Sequence, residues 1–144
     1  MESAKGGDVL AVQSLDHIGI VVKDLDASIK QYEHVLGVKL DRVEDYGNGL
    51  LKIAFFPLKN VLIELIQPLR PGSASWDFLQ ENGEGLEHIA FEVDNLESEW
   101  KEVMDKRIPV RDKEPKPGAG GTRICFLEPA ALNGVLGEFV THRN

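Results

Sequence analysis

Cysteine, aromatic residues, long apolar runs and positive charge are all scarce in this chain, and each scarcity excludes something. A single cysteine, Cys125, rules out an internal disulfide and suits a reducing compartment. It sits inside Ile124-Cys125-Phe126-Leu127, where a thiol reads as a small core hydrophobe. No apolar run approaches the roughly 18 residues of a membrane span. Met1 to Asp8 is polar and offers no signal-peptide hydrophobic region. With 16 Lys and Arg against 24 Asp and Glu, the net charge is −8, the opposite of the basic stripe that marks a nucleic-acid binder. The expectation is a cytoplasmic protein with no membrane or nucleic-acid partner. An anionic small molecule stays possible, because a bound metal can supply local positive charge.

What is present is enough for a packed core: 42% of the 144 residues are hydrophobic and 28% charged. One domain spanning 1–144 is the expectation. Internal repetition organises it. Leu15-Asp16-His17-Ile18 is matched by Leu86-Glu87-His88-Ile89, an offset of 71 residues, about half the chain. Val22 then matches Val93, and Leu25 matches Leu96. Both segments begin as apolar runs of strand type, pass an aspartate (Asp24, Asp94) and enter a helical pattern. Leu25, Ile29, Tyr32 and Leu36 share one helix face in the first, with Gly37 as a stop. Leu96, Trp100, Val103 and Met104 do so in the second.

Further strands are expected at Lys39–Val43, Leu50–Phe56 and Val61–Ile66 in the first half, with a tight turn at Pro57–Asn60. In the second half they are expected at Pro109–Arg111, Gly121–Leu127 and Gly134–Val140. Each half thus reads β-α-β-β-β, module 1 over about 15–67 and module 2 over about 86–140. The linker of about 68–85 contains a short helix candidate, Ser75–Gln80, and Lys113–Gly121 reads as a loop.

The last strand of each half carries one acid in an apolar run: Glu64 within Val61–Ile66 and Glu138 within Gly134–Val140. An ionised glutamate on a core strand is costly unless it is paired or metal-bound. A lone strand histidine is more often a hydrogen-bonded core residue, and a lone strand glutamate more often faces solvent. The repeat changes that balance, because one cause accounts for all four residues. Two imidazoles and two carboxylates suit one divalent ion of the Co, Ni, Zn or Mn kind, with Fe also compatible. They do not suit Ca or Mg, which prefer oxygen. Asp16 and Glu87, beside the histidines, should point to the opposite strand faces and read as non-ligands.

These residues resemble the vicinal-oxygen-chelate superfamily (glyoxalases, bleomycin-resistance proteins and dioxygenases), most closely its methylmalonyl-CoA epimerase branch. The resemblance runs from Leu15 to about Phe139. It rests on Leu15–Val22, Ile63–Leu69, Gly85–Ala90, Pro117-Gly118-Ala119, and Phe126–Pro129 leading to Gly134–Glu138. It implies an α+β fold in which two tandem β-α-β-β-β modules form a curved mixed sheet around one metal, and a homodimer. It implies His17, Glu64, His88 and Glu138 as ligands, with Glu138 also an acid/base. The reaction implied is epimerisation of methylmalonyl-CoA or a related 2-branched acyl-CoA through a metal-stabilised enolate. A glyoxalase I-like lyase acting on a thiol adduct and a non-catalytic small-molecule binder are the alternatives.

Where the epimerases carry a second glutamate, this chain has Gly47 or Asn48, and Glu44 and Asp45 are the substitutes at hand if the loop is shifted. Gly137 beside Glu138 reads as leaving room near the metal. Lys116 and Arg123 are candidates for CoA phosphates. His34 and His142 have no repeat partner and read as surface residues, and Trp76 and Trp100 as core or dimer contacts.

Overall fold

A computed structural model describes residues 11–142, so the polar Met1–Asp8 segment lies outside the described residues. Eight strands and three helices follow in the order β1 (Val12–Val21), α1 (Leu25–Leu36), β2 (Arg42–Tyr46), β3 (Leu51–Pro57), β4 (Leu62–Pro68), α2 (Ala74–Asn82), β5 (Gly85–Val93), α3 (Leu96–Asp105), β6 (Lys116–Pro117), β7 (Arg123–Phe126) and β8 (Leu136–Thr141). The strands hydrogen-bond in the order β2-β3-β4-β1-β5-β8-β7-β6. The β1/β4 pair is parallel and the β2/β3, β3/β4, β6/β7 and β7/β8 pairs are antiparallel, so the fold is α+β with a mixed sheet. None of the described helices is long and apolar enough to cross a membrane.

The chain divides into two compact units, His17–His88 and a second made of the residues up to Asp16 with Ile89 onward. In the His17–His88 unit, α1 starts where the Asp24 side chain accepts from the Ala27 N–H at 3.1 Å, and it ends at Gly37 in the left-handed region (φ 67°). One face of β1, β3 and β4 packs under α1: Ile18, Ile20 and Val22 join Ala54, Phe56, Ile63, Leu65 and Leu25 in one apolar cluster. Strand alternation then sends His17, Gly19 and Val21 to the other face. The registers Gly19↔Glu64 and Glu64↔Phe55 put Glu64 on that second face too.

In the other unit, Val93, Leu96, Trp100, Val103, Cys125 and Leu127 form the core against α3. The cap of α3 is Asn95, whose side chain accepts from the Ser98 N–H at 3.1 Å. Asn95, not Asp94, is therefore the repeat equivalent of Asp24, at the same offset of 71 as the histidines. Asp94 instead offers its carbonyl to the Thr141 hydroxyl at 3.2 Å.

The expected strand at Pro109–Arg111 is reduced to a single bridge, Val110 to Leu127. Proline has no N–H to give a ladder at its position. Just beyond, the Asp112 side chain takes the Phe126 N–H at 2.8 Å while its carbonyl accepts the Trp100 indole N–H at 2.9 Å. The paired strand is β6, inside the segment expected to be loop.

Candidate metal centre

His17 and His88 enter from β1 and β5, and both are buried. Their Nε2 atoms lie 3.2 Å apart and the rings meet edge to face, with interplanar angle 89°. Two nitrogens bound to one ion at about 2.0–2.1 Å, at angles between octahedral and tetrahedral, would be separated by about 2.8–3.4 Å. The observed spacing falls inside that window. Glu138, on β8, belongs to the other unit and is buried there. Two imidazole nitrogens at this spacing fit a borderline divalent ion.

Glu64 is buried on β4, beside His17. Its Oε2 sits 3.6 Å from His17 Nδ1, the nitrogen turned away from His88. That distance is an electrostatic contact and not a hydrogen bond.

Glu87 holds the corresponding place behind the other histidine. Its Oε1 is 2.9 Å from His88 Nδ1, and its Oε2 accepts the Ser75 hydroxyl at 2.8 Å. Strand alternation predicts the opposite face for it, yet its carboxylate lies against the His88 ring. No spacing rule reveals such a residue, because adjacent strand residues ordinarily point apart.

Gly19 supplies the floor. A Cβ built on it would lie 2.1 Å from His88 Cε1 and 2.5 Å from Nδ1, so the imidazole occupies the space a side chain would take.

Around Glu44 the register is informative. Glu44 pairs with Ile53, which pairs with Ile66, and Ile66 pairs with Val21; this chain of pairs puts Glu44 on the sheet face of Glu64 and His17. Arg42 grips its carboxylate at 2.9 and 3.0 Å and stacks over the Phe55 ring at 4.1 Å. The hydrogen bond from Arg42 to Asp41, with Glu44 contributing less, holds the guanidinium above its ordinary range against partial desolvation. Gly47, Asn48 and Gly49 form the β2–β3 turn, all at positive φ (69°, 54° and 84°), so a glutamate there would be strained.

Gly137 does not leave room near the metal. It alternates with Glu138, and a Cβ on it would meet Leu132 Cδ1 at 2.6 Å, with Leu127 and Phe91 behind. The space is filled by Leu132, from the 3₁₀ turn Pro129–Leu132. Lys116 is engaged by Asp112 at 3.0 Å and lies 5.5 Å from the Phe126 ring centre; Arg123 is engaged by Glu97. His34 is exposed, and so is His142, which pairs with Asp16 at 2.6 Å. Trp100 is core, 2% exposed, edge-on to Phe139.

Comparison with known proteins places this geometry. The family model described as Glyoxalase/Bleomycin resistance protein/Dioxygenase superfamily matches residues 16–126. The Bacillus subtilis protein YqjC is 38% identical over 124 residues, covering 86% of this chain and 89% of its own length. The ethylmalonyl-CoA/methylmalonyl-CoA epimerase of Cereibacter sphaeroides is 35% identical over 126 residues, covering 86% of this chain and 94% of its own length. Among solved structures, the Streptomyces coelicolor methylmalonyl-CoA epimerase in complex with 2-nitronate-propionyl-CoA superposes with TM-score 0.85 at 33% identity, over 90% of this chain and 94% of that one.

Proposed function

The chain belongs to the Glyoxalase/Bleomycin resistance protein/Dioxygenase superfamily, and from that premise we propose that it is an isomerase, a metal-dependent epimerase of methylmalonyl-CoA or a related 2-branched acyl-CoA. The observation that carries the reading is the 3.2 Å approach of the buried His17 and His88 Nε2 atoms. Similarity across most of the chain to an ethylmalonyl-CoA/methylmalonyl-CoA epimerase supports the substrate class.

A proton α to a thioester is too weakly acidic for an unaided carboxylate. His17, His88 and Glu138 would hold a divalent ion, which would supply positive charge against the oxyanion that grows as the proton leaves. Glu64 backs His17 and contributes a further carboxylate to the ion's surroundings. Glu138, buried at 3% exposure, is the base that removes the α-proton. Epimerisation then needs a proton returned from the opposite side of the α-carbon, and Glu44 is the residue assigned to it. Arg42 holds Glu44 on the sheet face it shares with Glu64. Lys116 and Arg123 contribute weakly to CoA phosphate binding, since each must first exchange its carboxylate partner. The reading includes a cytoplasmic homodimer.

Proton–deuterium exchange at C2 of methylmalonyl-CoA in D2O, with Co, Ni, Zn or Mn added singly, tests the proposal. Exchange is expected with at least one metal, and Glu138→Gln should slow it by about 10²–10⁴-fold. Absence of exchange with every metal rejects the epimerase. Thioester formation from a glutathione–methylglyoxal adduct in the same preparations would then establish the lyase instead, and failure of both reactions would leave a binding protein.

A further inference from the structure

Behind His88 stands a chain of three groups that no ligand role uses: the Ser75 hydroxyl, the Glu87 carboxylate and the His88 Nδ1. We infer that Glu87 is a positioning residue, locked by Ser75, which holds His88 in the Nδ1–H tautomer with Nε2 turned to the metal position. The inference rests on the metal reading above for its purpose, though not for its geometry.

The Glu87 side chain is 5% exposed and Ser75 is equally buried. A carboxylate removed from water to that extent needs strong hydrogen-bond partners, and it has one on each oxygen: Nδ1 at 2.9 Å and Ser75 Oγ at 2.8 Å. An ionised carboxylate can only accept, so Nδ1 must be the donor and carry the hydrogen. In the neutral imidazole Nε2 is then the unprotonated nitrogen, and it is the atom 3.2 Å from His17 Nε2. The carboxylate thereby selects which nitrogen can bind a cation.

Ser75 makes the arrangement rigid. It is the second residue of α2, a helix whose first turn is fixed by the Ser73 side chain accepting from the Trp76 N–H at 3.0 Å. The N-terminal end of a helix also favours a neighbouring anion. The linker helix thus acquires a role: it holds the carboxylate, the carboxylate holds the imidazole, and Gly19 limits the ring from beneath. Partners of this kind are typically worth 10–100-fold in metal affinity.

The test reads the tautomer first and the metal second. In metal-free protein labelled with ¹⁵N-histidine, NMR should report His88 as Nδ1–H in wild type and a mixed or Nε2–H form in Glu87→Ala, with His17 unchanged. Glu87→Gln keeps an oxygen acceptor and should restore the tautomer. Co²⁺ titration by calorimetry should show affinity reduced 10–100-fold in Glu87→Ala, largely recovered in Glu87→Gln, and reduced up to about 10-fold in Ser75→Ala. Circular dichroism establishes that each variant is folded. The inference is overturned if folded Glu87→Ala keeps the wild-type tautomer, or if Glu87→Gln fails to restore it. Should wild type bind no Co²⁺ at all, the metal reading falls, and the tautomer measurement still decides the part played by Glu87.

Discussion

Replacing Gly19 with alanine adds one methyl group, and the geometry assigns it a large effect. The Cβ would lie 2.1 Å from His88 Cε1, 2.5 Å from Nδ1 and 2.8 Å from Nε2, where ordinary contact begins at 3.4 Å. The ring or the strand must therefore yield by about 1.3 Å, against the tolerance of about 0.2 Å that metal–ligand distances allow. Gly19 is not among the positive-φ glycines, so alanine suits the backbone and the effect is purely steric. His88 has little freedom to retreat, since Nδ1 is tied to Glu87. Overpacking of this type costs about 1–3 kcal/mol of stability, which leaves a folded protein. Metal binding should suffer more, by about 100-fold or beyond. The assay is calorimetric titration of Co²⁺ or Zn²⁺ into wild type and Gly19→Ala, beside urea melts of both. A folded Gly19→Ala whose affinity stays within threefold of wild type would refute the cradle.

Two further outcomes follow from the second unit. Gly137→Ala meets Leu132 Cδ1 at 2.6 Å and should destabilise by about 1–3 kcal/mol; Leu132→Ala made in the same chain should recover much of that loss, and additive urea-unfolding energies would count against the pairing. Burial, with Asp112 and Glu97 assisting, pushes the Cys125 thiol up to about 12 from 9.0. The folded protein then holds a proton that the unfolded chain releases above pH about 9. Its contribution is complete below that pH and falls by about 1 kcal/mol per unit as pH rises towards 12. Stability compared between wild type and Cys125→Ala at pH 8 to 11 should show wild type losing its relative advantage as pH rises, while the native thiol stays unreactive to Ellman's reagent at pH 8.

Alternation in β1 and β4 was legible from residues alone. Ile18, Ile20, Ile63 and Leu65 had to share the helix-covered face, and this left His17 and Glu64 together on the other. Helix limits were legible as well, because Asp24 and Gly37 have local reasons to start and stop a helix. In the second module the match of Asp94 to Asp24 does not mark the cap, which is Asn95, since capping depends on which side chain meets the third N–H and not on acidity. The strand expected at Pro109–Arg111 was displaced to Lys116–Pro117, because Asp112, not a strand ladder, satisfies the Phe126 N–H.

For the site, the sequence by itself determined the pair of histidines, through a repeat of offset 71, and the fold brings their Nε2 atoms to 3.2 Å. It determined the buried acids too, since a glutamate among isoleucines and leucines must answer to something. Only the tertiary structure decided what Glu64 and Glu87 face: Glu64 turned to His17 Nδ1, and Glu87, set aside by strand alternation, was brought behind His88 by a helix from the linker. The physical reason is range. Periodicity and capping are settled within one or two turns of chain, whereas the nitrogen a carboxylate faces, and the glycine an imidazole rests on, depend on strands and helices far apart in sequence.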